Sequence, residues 1–389
     1  MPRPRPALHQ TTLIFSRSTH PLAHDERLVL PRRVGRRARS LTVAFVLGLT
    51  LALSLGLVRA RTLGRVASPT GSSAIATSPT PPGLWLSSTG ARAVLQLSPS
   101  QLATDGTVIP AAVRGVAGVE IHSLVGLAFD EAGRMWVASQ GDSVLLAFSP
   151  ASLAAKGTRV PATVLSATNR SLSAPVGLAF DRRHRLWTAN FGNGTLVRFD
   201  SAQLASSGAP APSAIIGGLH RPSALAFDAA GTLWVADMCI GIIAAYGADQ
   251  LERSGTPIPR VVIRRTKHSL AIPTGLAFDA EGNLWVANLG NGTVVRYDRT
   301  QLASTGAPAP RVTLAMQQPG APIDAPAGLA LDGDGSLWVA ELSGLVSKFT
   351  REQLVASGAP VPAVQVAVGG EGLLWGAAFW PRVQGVPLN

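Results

Sequence analysis

A chain of 389 residues with a formal net charge of +12 invites a nucleic-acid reading, but the charge sits at one end. Residues 1–65 hold twelve Arg against Asp25 and Glu26, and the rest carries 22 basic against 20 acidic residues. The body is nearly neutral, with no basic stripe to track phosphates, so nucleic acid is set aside as a partner; Cys239, the single cysteine, rules out an intrachain disulfide.

In chain order, a basic arm (1–40) leads into LTVAFVLGLTLALSLGLV, Leu41 to Val58, an uncharged run of 18 residues. A helix of that length covers about 27 Å, close to the hydrocarbon thickness of a bilayer. Arg32, Arg33, Arg36, Arg37 and Arg39 precede it, and Arg59, Arg61 and Arg65 follow. The positive-inside rule puts the N-terminus in the cytoplasm and the rest of the chain outside. Two readings stand. The run is an uncleaved signal anchor, favoured by the long basic arm and by the Arg just after the run. Alternatively it is the apolar region of a signal peptide cut near Val58-Arg59-Ala60, which would leave a secreted protein. Residues 59–83 include SPTGSSAIATSPTPPG and read as a flexible or semi-extended linker.

From Leu84 onward one sentence repeats. PTGLAFDAEGNLWVAN from Pro273 has counterparts at Leu124, Pro175, Pro222 and Pro326. The Trp of the repeat falls at Trp85, Trp136, Trp187, Trp234, Trp285 and Trp338, at spacings of 51, 51, 47, 51 and 53. A period near fifty residues predicts a propeller or solenoid. GLAFD and LWVA read as short apolar strands, and GTVVRYD alternates with a period of two. A fourth strand follows GAPAP. Asp279 with Gly282 suits a type I turn, with His184 standing where blade two should have Gly. Asn193-Gly194 and Asn291-Gly292 mark hairpins. DRTQLASTG reads as one helical turn with a Gly stop. Four antiparallel strands per repeat make a propeller blade, the small Gly and Ala residues placing the first strand innermost. LWLSSTGARAVLQLS from Leu84 lacks a first strand, and WGAAFWP from Trp375 has nothing after it. Together they make one shared blade. The expected fold is all-β: a six-bladed propeller over 84–389, closed by pairing of its N- and C-terminal strands and preceded by one hydrophobic helix.

Two sets of residues are expected to rim one mouth of the channel. The position after WVA gives Ser88, Ser139, Asn190, Asp237, Asn288 and Glu341. Two residues before the Pro position lie His122, Ser173, His220, Ala271 and Asp324. Asn190, Asp237, Asn288 and Glu341 form a mixed carboxylate and amide set that suits Ca²⁺ or Mg²⁺. Ser88, Ser139, His122, His220 and Asp324 are candidates for ligand binding, the histidines as acid, base or ligand. Polar residues also end strands simply because they face water. No GxSxG, Walker or dinucleotide-binding pattern is present, and no catalytic residue is assigned.

Over residues 84–380 the repeat resembles the NHL-repeat type of propeller, and also streptogramin-lyase and gluconolactonase-type propellers. The resemblance to gluconolactonase-type enzymes implies a divalent metal held by Glu, Asn and Asp. The lyase resemblance singles out LWVAE, ending at Glu341. Two functions stay open. One is an extracytoplasmic binding or scaffold module for an unknown protein or small-molecule ligand. The other is a metal-dependent lactone hydrolase or lyase. The regularity of the blades favours the first.

Overall fold

Alternation along each strand decides how the blades stack. In PVGLAF, LWTAN and TLVRF of blade two, Leu178, Phe180, Leu186, Val197 and Phe199 share one face of the sheet; Ala179, Trp187, Ala189 and Leu196 share the other. The computed structural model describes residues 80–114, 121–155, 160–267, 269–315, 325–369 and 372–381. In it the Leu/Phe face of blade two packs on Ala128, Trp136, Ala138, Leu145 and Ala147 of blade one. The opposite face packs on Leu225, Phe227, Leu233, Val235 and Tyr246 of blade three. The same pairing recurs around the ring, so each apolar core lies between two blades rather than inside one.

Five blades are continuous. Their inner strands are Leu124–Phe129, Pro175–Phe180, Pro222–Phe227, Pro273–Phe278 and Pro326–Leu331. Second, third and outer strands follow outward in antiparallel order, and in the fifth blade Gly106–Val108 adds a further strand in parallel beyond Val364–Val368. The sixth sheet joins Leu374–Trp380 to Gly83–Ser88, then Ala93–Leu97 and Ala111–Arg114. Leu84 pairs with Phe379 and Leu86 with Ala377. Five of the six inner strands carry glycine where neighbouring inner strands nearly touch, and the third carries Ala224. A Cβ on Gly275 would lie 2.5 Å from the Ala327 carbonyl oxygen, one on Gly376 would lie 2.6 Å from that of Val125, and one on Gly126 would overlap the Val176 carbonyl.

The Asp that opens each hairpin turn has a second task. Asp181 Oδ1 accepts from the Arg185 N–H at 3.0 Å, and Oδ2 accepts from the Trp187 indole at 3.2 Å. The same indole bond forms at Asp130, Asp228, Asp279 and Asp332. Trp85 has no such Asp and donates to the Pro81 carbonyl. His184 takes φ 57, in the left-handed region occupied by Gly133, Gly231, Gly282 and Gly335 at the same turn.

The Gly-stop expectation needs correction. Gly208, Gly255, Gly306 and Gly358 are not in the left-handed region and cap no helix. Each instead bridges the outer strand of the preceding blade. The Gly208 N–H donates to the Val164 carbonyl, and its own carbonyl accepts from the Ser166 N–H, both at 3.0 Å. The Ser207 hydroxyl accepts from the Val164 N–H. Ser254, Thr305 and Ser357 repeat this bond in later blades. The preceding QL turn is a 3₁₀ turn in blade two, and Gln203 staples it: Oε1 accepts from the Asp200 N–H, and Nε2 donates to the Ala211 carbonyl at 2.7 Å. The basic arm, the run 41–58 and Asp324 lie outside the described residues. Among the described residues, no helix is long and apolar enough to cross a membrane.

Candidate functional site

The inner strands begin, and the second strands end, at one end of the sheets, here called the mouth face. The Asp turns lie at the opposite end, the turn face. In blade three the register runs Pro222, Asp237, Ile242, Arg264 across the mouth end, from inner to outer strand. The positions named from the sequence fall there, and Ser88, Ser139, Asn190, Asp237, Asn288 and Glu341 are all 0% exposed.

Most of these side chains fasten the loop that feeds the inner strand. Asn190 Nδ2 donates to the Ser171 carbonyl at 2.7 Å and to the Thr195 hydroxyl at 3.0 Å. Its Oδ1 accepts from the Ser173 N–H at 3.1 Å. Asn288 repeats the set with the Ser269 carbonyl, the Thr293 hydroxyl and the Ala271 N–H. Asp237, lacking a donor, accepts three backbone N–H groups instead, those of His220 at 2.7 Å, Cys239 at 3.1 Å and Arg221 at 3.3 Å. A buried carboxylate is tolerated where such donors compensate its desolvation. Ser88 Oγ donates to the Gly372 carbonyl and accepts from the Ala91 N–H. Glu341 differs: its Oε1 accepts from the Ser347 hydroxyl at 2.6 Å, and Ser347 is itself fully buried.

The loop positions two before the inner strand divide. Ser173 and Ala271 contribute backbone N–H groups to the asparagines. The His220 side chain is 61% exposed, with Nδ1 3.7 Å from Asp237 Oδ2. His122 has a closer partner that sequence reasoning missed. Asp142 Oδ1 lies 2.8 Å from His122 Nδ1, and Asp142 Oδ2 accepts from the His122 N–H at 2.9 Å. Ser139 Oγ is 2.5 Å from Asp142 Oδ2. Asp142 stands in GDS, in the hairpin just after the ring position; that proximity was the available signal. Among the described residues, no group of three or more His, Cys, Asp or Glu side chains is arranged to hold a metal.

The middle of the ring at the mouth end is apolar on four blades, while Ser223 and Thr274, at the same position of blades three and four, donate to the Pro273 and Pro326 carbonyls of the next inner strand. Val125, Val176, Ala327 and Trp375, the second residues of four inner strands, belong to one buried cluster that joins blades on opposite sides of the ring. Phe191, one residue after Asn190, is part of it, and Met238 and Leu342 pack against it. The Arg221 guanidinium lies 5.0 Å above the Phe191 ring. Thus Phe191, Met238 and Leu342, each one residue after a ring position, contribute apolar surface beside this cluster.

On the turn face an open groove of about 330 Å³ separates blades four and five, lined by Asp279, Glu281, Asn283, Arg296, Asp332 and Arg351. Burial would raise the Asp332 carboxyl, but hydrogen bonds from Trp338, Ser336 and Lys348 outweigh it and hold it below the ordinary value. Behind the mouth, burial pushes the Tyr246 hydroxyl up to about 12, with the Asp237 charge adding to it, and burial takes Tyr297 to about 12.

The SMP-30/Gluconolactonase/LRE-like region family matches residues 207–317. No curated protein matches the chain. Among solved structures, a streptogramin B lyase aligns at 12% identity and TM-score 0.49, over 71% of this chain and 82% of that one. Virginiamycin B lyase from Staphylococcus aureus aligns at 11% and 0.48, over 71% and 83%. U3-55K aligns at 12% and 0.49, over 73% and 78%. The chain is an all-β, six-bladed propeller, and the family match at residues 207–317 falls on its third and fourth blades.

Proposed function

We propose that the chain is an extracytoplasmic binding or scaffold module that presents its mouth face to a protein or small-molecule partner. Residues 1–40 stay in the cytoplasm and 41–58 serve as a membrane-spanning anchor helix, or as a cleaved signal that leaves a secreted protein. Residues 59–83 form a linker, and the NHL-like ring is shut by pairing of its terminal strands. The observation that carries the reading is the fastening of loops by ring side chains. Asn190, Asn288 and Asp237 have their polar atoms engaged by local backbone and hydroxyl groups, a role that builds a rigid face rather than a reacting centre. The two ends of the ring fit the same picture. Thr80 donates to the Gly133 carbonyl at the turn face, and Gly83 pairs with Trp380 there. Thr80 therefore lies at the side of the ring opposite the mouth.

The test is a reporter active only outside the cytoplasm, fused after Asn389. Signal is expected from the natural chain, with a fall when Arg32, Arg33, Arg36, Arg37 and Arg39 become Ser. A fusion active only in the cytoplasm refutes the orientation.

One observation favours the enzyme alternative. The Asp142 carboxylate lies 2.8 Å from His122 Nδ1 at the mouth and orients the ring, as a carboxylate does beside a histidine general base. In that reading Asn190, Asp237, Asn288 and Glu341 hold Ca²⁺ or Mg²⁺ for a lactone hydrolase or lyase. Lactone turnover that needs the metal and falls with His122→Gln would support it. Turnover indifferent to chelator would exclude it.

A further inference from the structure

Acids and bases are distributed unequally between the two faces. At the turn face, Arg183 and Arg185 pair with Glu252, Arg260 with Asp249 and Arg351 with Glu281. At the mouth face the described carboxylates are Asp142, Asp237 and Glu341. Asp237 and Glu341 are fully buried, and Asp142 is bonded to His122. Among the described residues the exposed charge of the mouth face is therefore cationic, and it gathers over blade three. Arg264 ends the outer strand, with Arg265 and Lys267 following in the loop, all exposed. Arg265 runs across the second hairpin, its side chain against Gly241. Arg221, over Phe191 and next to the exposed His220, completes the cationic row at the inner strand. From outer to inner strand the row crosses three strand spacings, roughly 14 Å.

A row of this length suits a chain of separated anionic groups better than a single anion. Apolar side chains lie beside it: Ile240 is 38% exposed at the hairpin tip, and Met238 is half-buried next to the central cluster. Mixed cationic and apolar surface favours carboxylates with interspersed aliphatic side chains over a sugar-phosphate backbone. We infer that this blade-three sector docks an acidic, partly aliphatic peptide segment of a partner protein. The inference rests on the binding-module reading and names the chemistry of its partner.

The test uses the full chain in neutral-lipid nanodiscs and a labelled peptide of alternating Glu and Leu, followed by fluorescence anisotropy. Binding should weaken with salt, and should weaken roughly tenfold when Arg264, Arg265 and Lys267 are together replaced by Ser. These residues are exposed, so the melting temperature should not move. The charge-reversed variant Arg264→Glu/Lys267→Glu should gain affinity for the matching Lys/Leu peptide. Equal affinity in the triple Ser variant would overturn the sector while leaving the module reading intact. Loss of binding instead on Arg253→Ser/Arg299→Ser, at the turn face, would overturn both. A single-stranded oligonucleotide of equal charge binding as tightly as the peptide would overturn the assignment of the partner.

Discussion

Replacing Asn288 separates the two uses of the ring positions. Asn288→Ala removes bonds to the Ser269 carbonyl, the Ala271 N–H and the Thr293 hydroxyl, all at a fully buried site. The Thr293 hydroxyl keeps a partner in Asn291, so its loss matters least. The other two bonds contribute about 1 kcal/mol each, and the Ser269 carbonyl, left in a residue that is 1% exposed, adds a desolvation penalty of about 1 kcal/mol. The loss is therefore about 3 kcal/mol, or roughly 6 °C in melting temperature for a ring of this size. Asn288→Asp points a carboxylate at the same carbonyl and should destabilise at least as much. A metal ring predicts the opposite for Asp: added charge at a cation site strengthens Ca²⁺ binding, and ligand bound only to the folded state raises its stability. Calorimetry of both variants with Ca²⁺ and with chelator decides between them. Loop fastening requires lower melting temperatures in either medium. An Asn288→Ala variant that melts like the natural protein, or an Asp variant stabilised by Ca²⁺, would refute it.

Gly275→Ala should cost about 1–3 kcal/mol, because its Cβ would meet the Ala327 carbonyl of the next blade. Gly208→Ala, with open space around it and ordinary φ, should stay within about 0.5 kcal/mol, and chemical denaturation can compare the two. A chain ending at Gly369 lacks the strand Leu374–Trp380, baring the edge of Gly83–Ser88 and removing Trp375 from the central cluster. It should melt lower and aggregate, and equal melting curves would count against ring closure. Tyr246 and Tyr297 titrate near 10 when unfolded and at about 12 in the ring. Their contribution is fully present below pH 10 and is lost as pH rises toward 12. Tyr246→Phe and Tyr297→Phe should each flatten the alkaline fall of stability measured by denaturant titration.

The blade was legible because its rules are local. The alternation in GLAFD, LWVA and GTVVRYD places Leu and Phe on one face and Ala and Trp on the other, and repetition at about fifty residues turns that strip into a ring. The left-handed turn at His184 followed from its place in the repeat, opposite four glycines. What the repeat could not reveal were bonds between residues whose spacing has no local pattern. The Ser-Gly or Thr-Gly that follows QL in blades two to five reads like a helix stop, yet it is the clasp to the preceding blade, some forty residues back for Ser207 and Val164. The ring residues are polar in sequence whether they face a ligand or a loop. Only the folded loops, lying against Asn190, Asp237 and Asn288, turn those side chains inward. The apolar mouth likewise needs Trp375, near the end of the chain, to meet Val125 and Val176 across the ring. Sequence periodicity therefore determined which strands form and how neighbouring blades stack. Tertiary structure decided what the side chains at the strand ends do, because that depends on which distant backbone groups the closed ring brings within hydrogen-bonding reach.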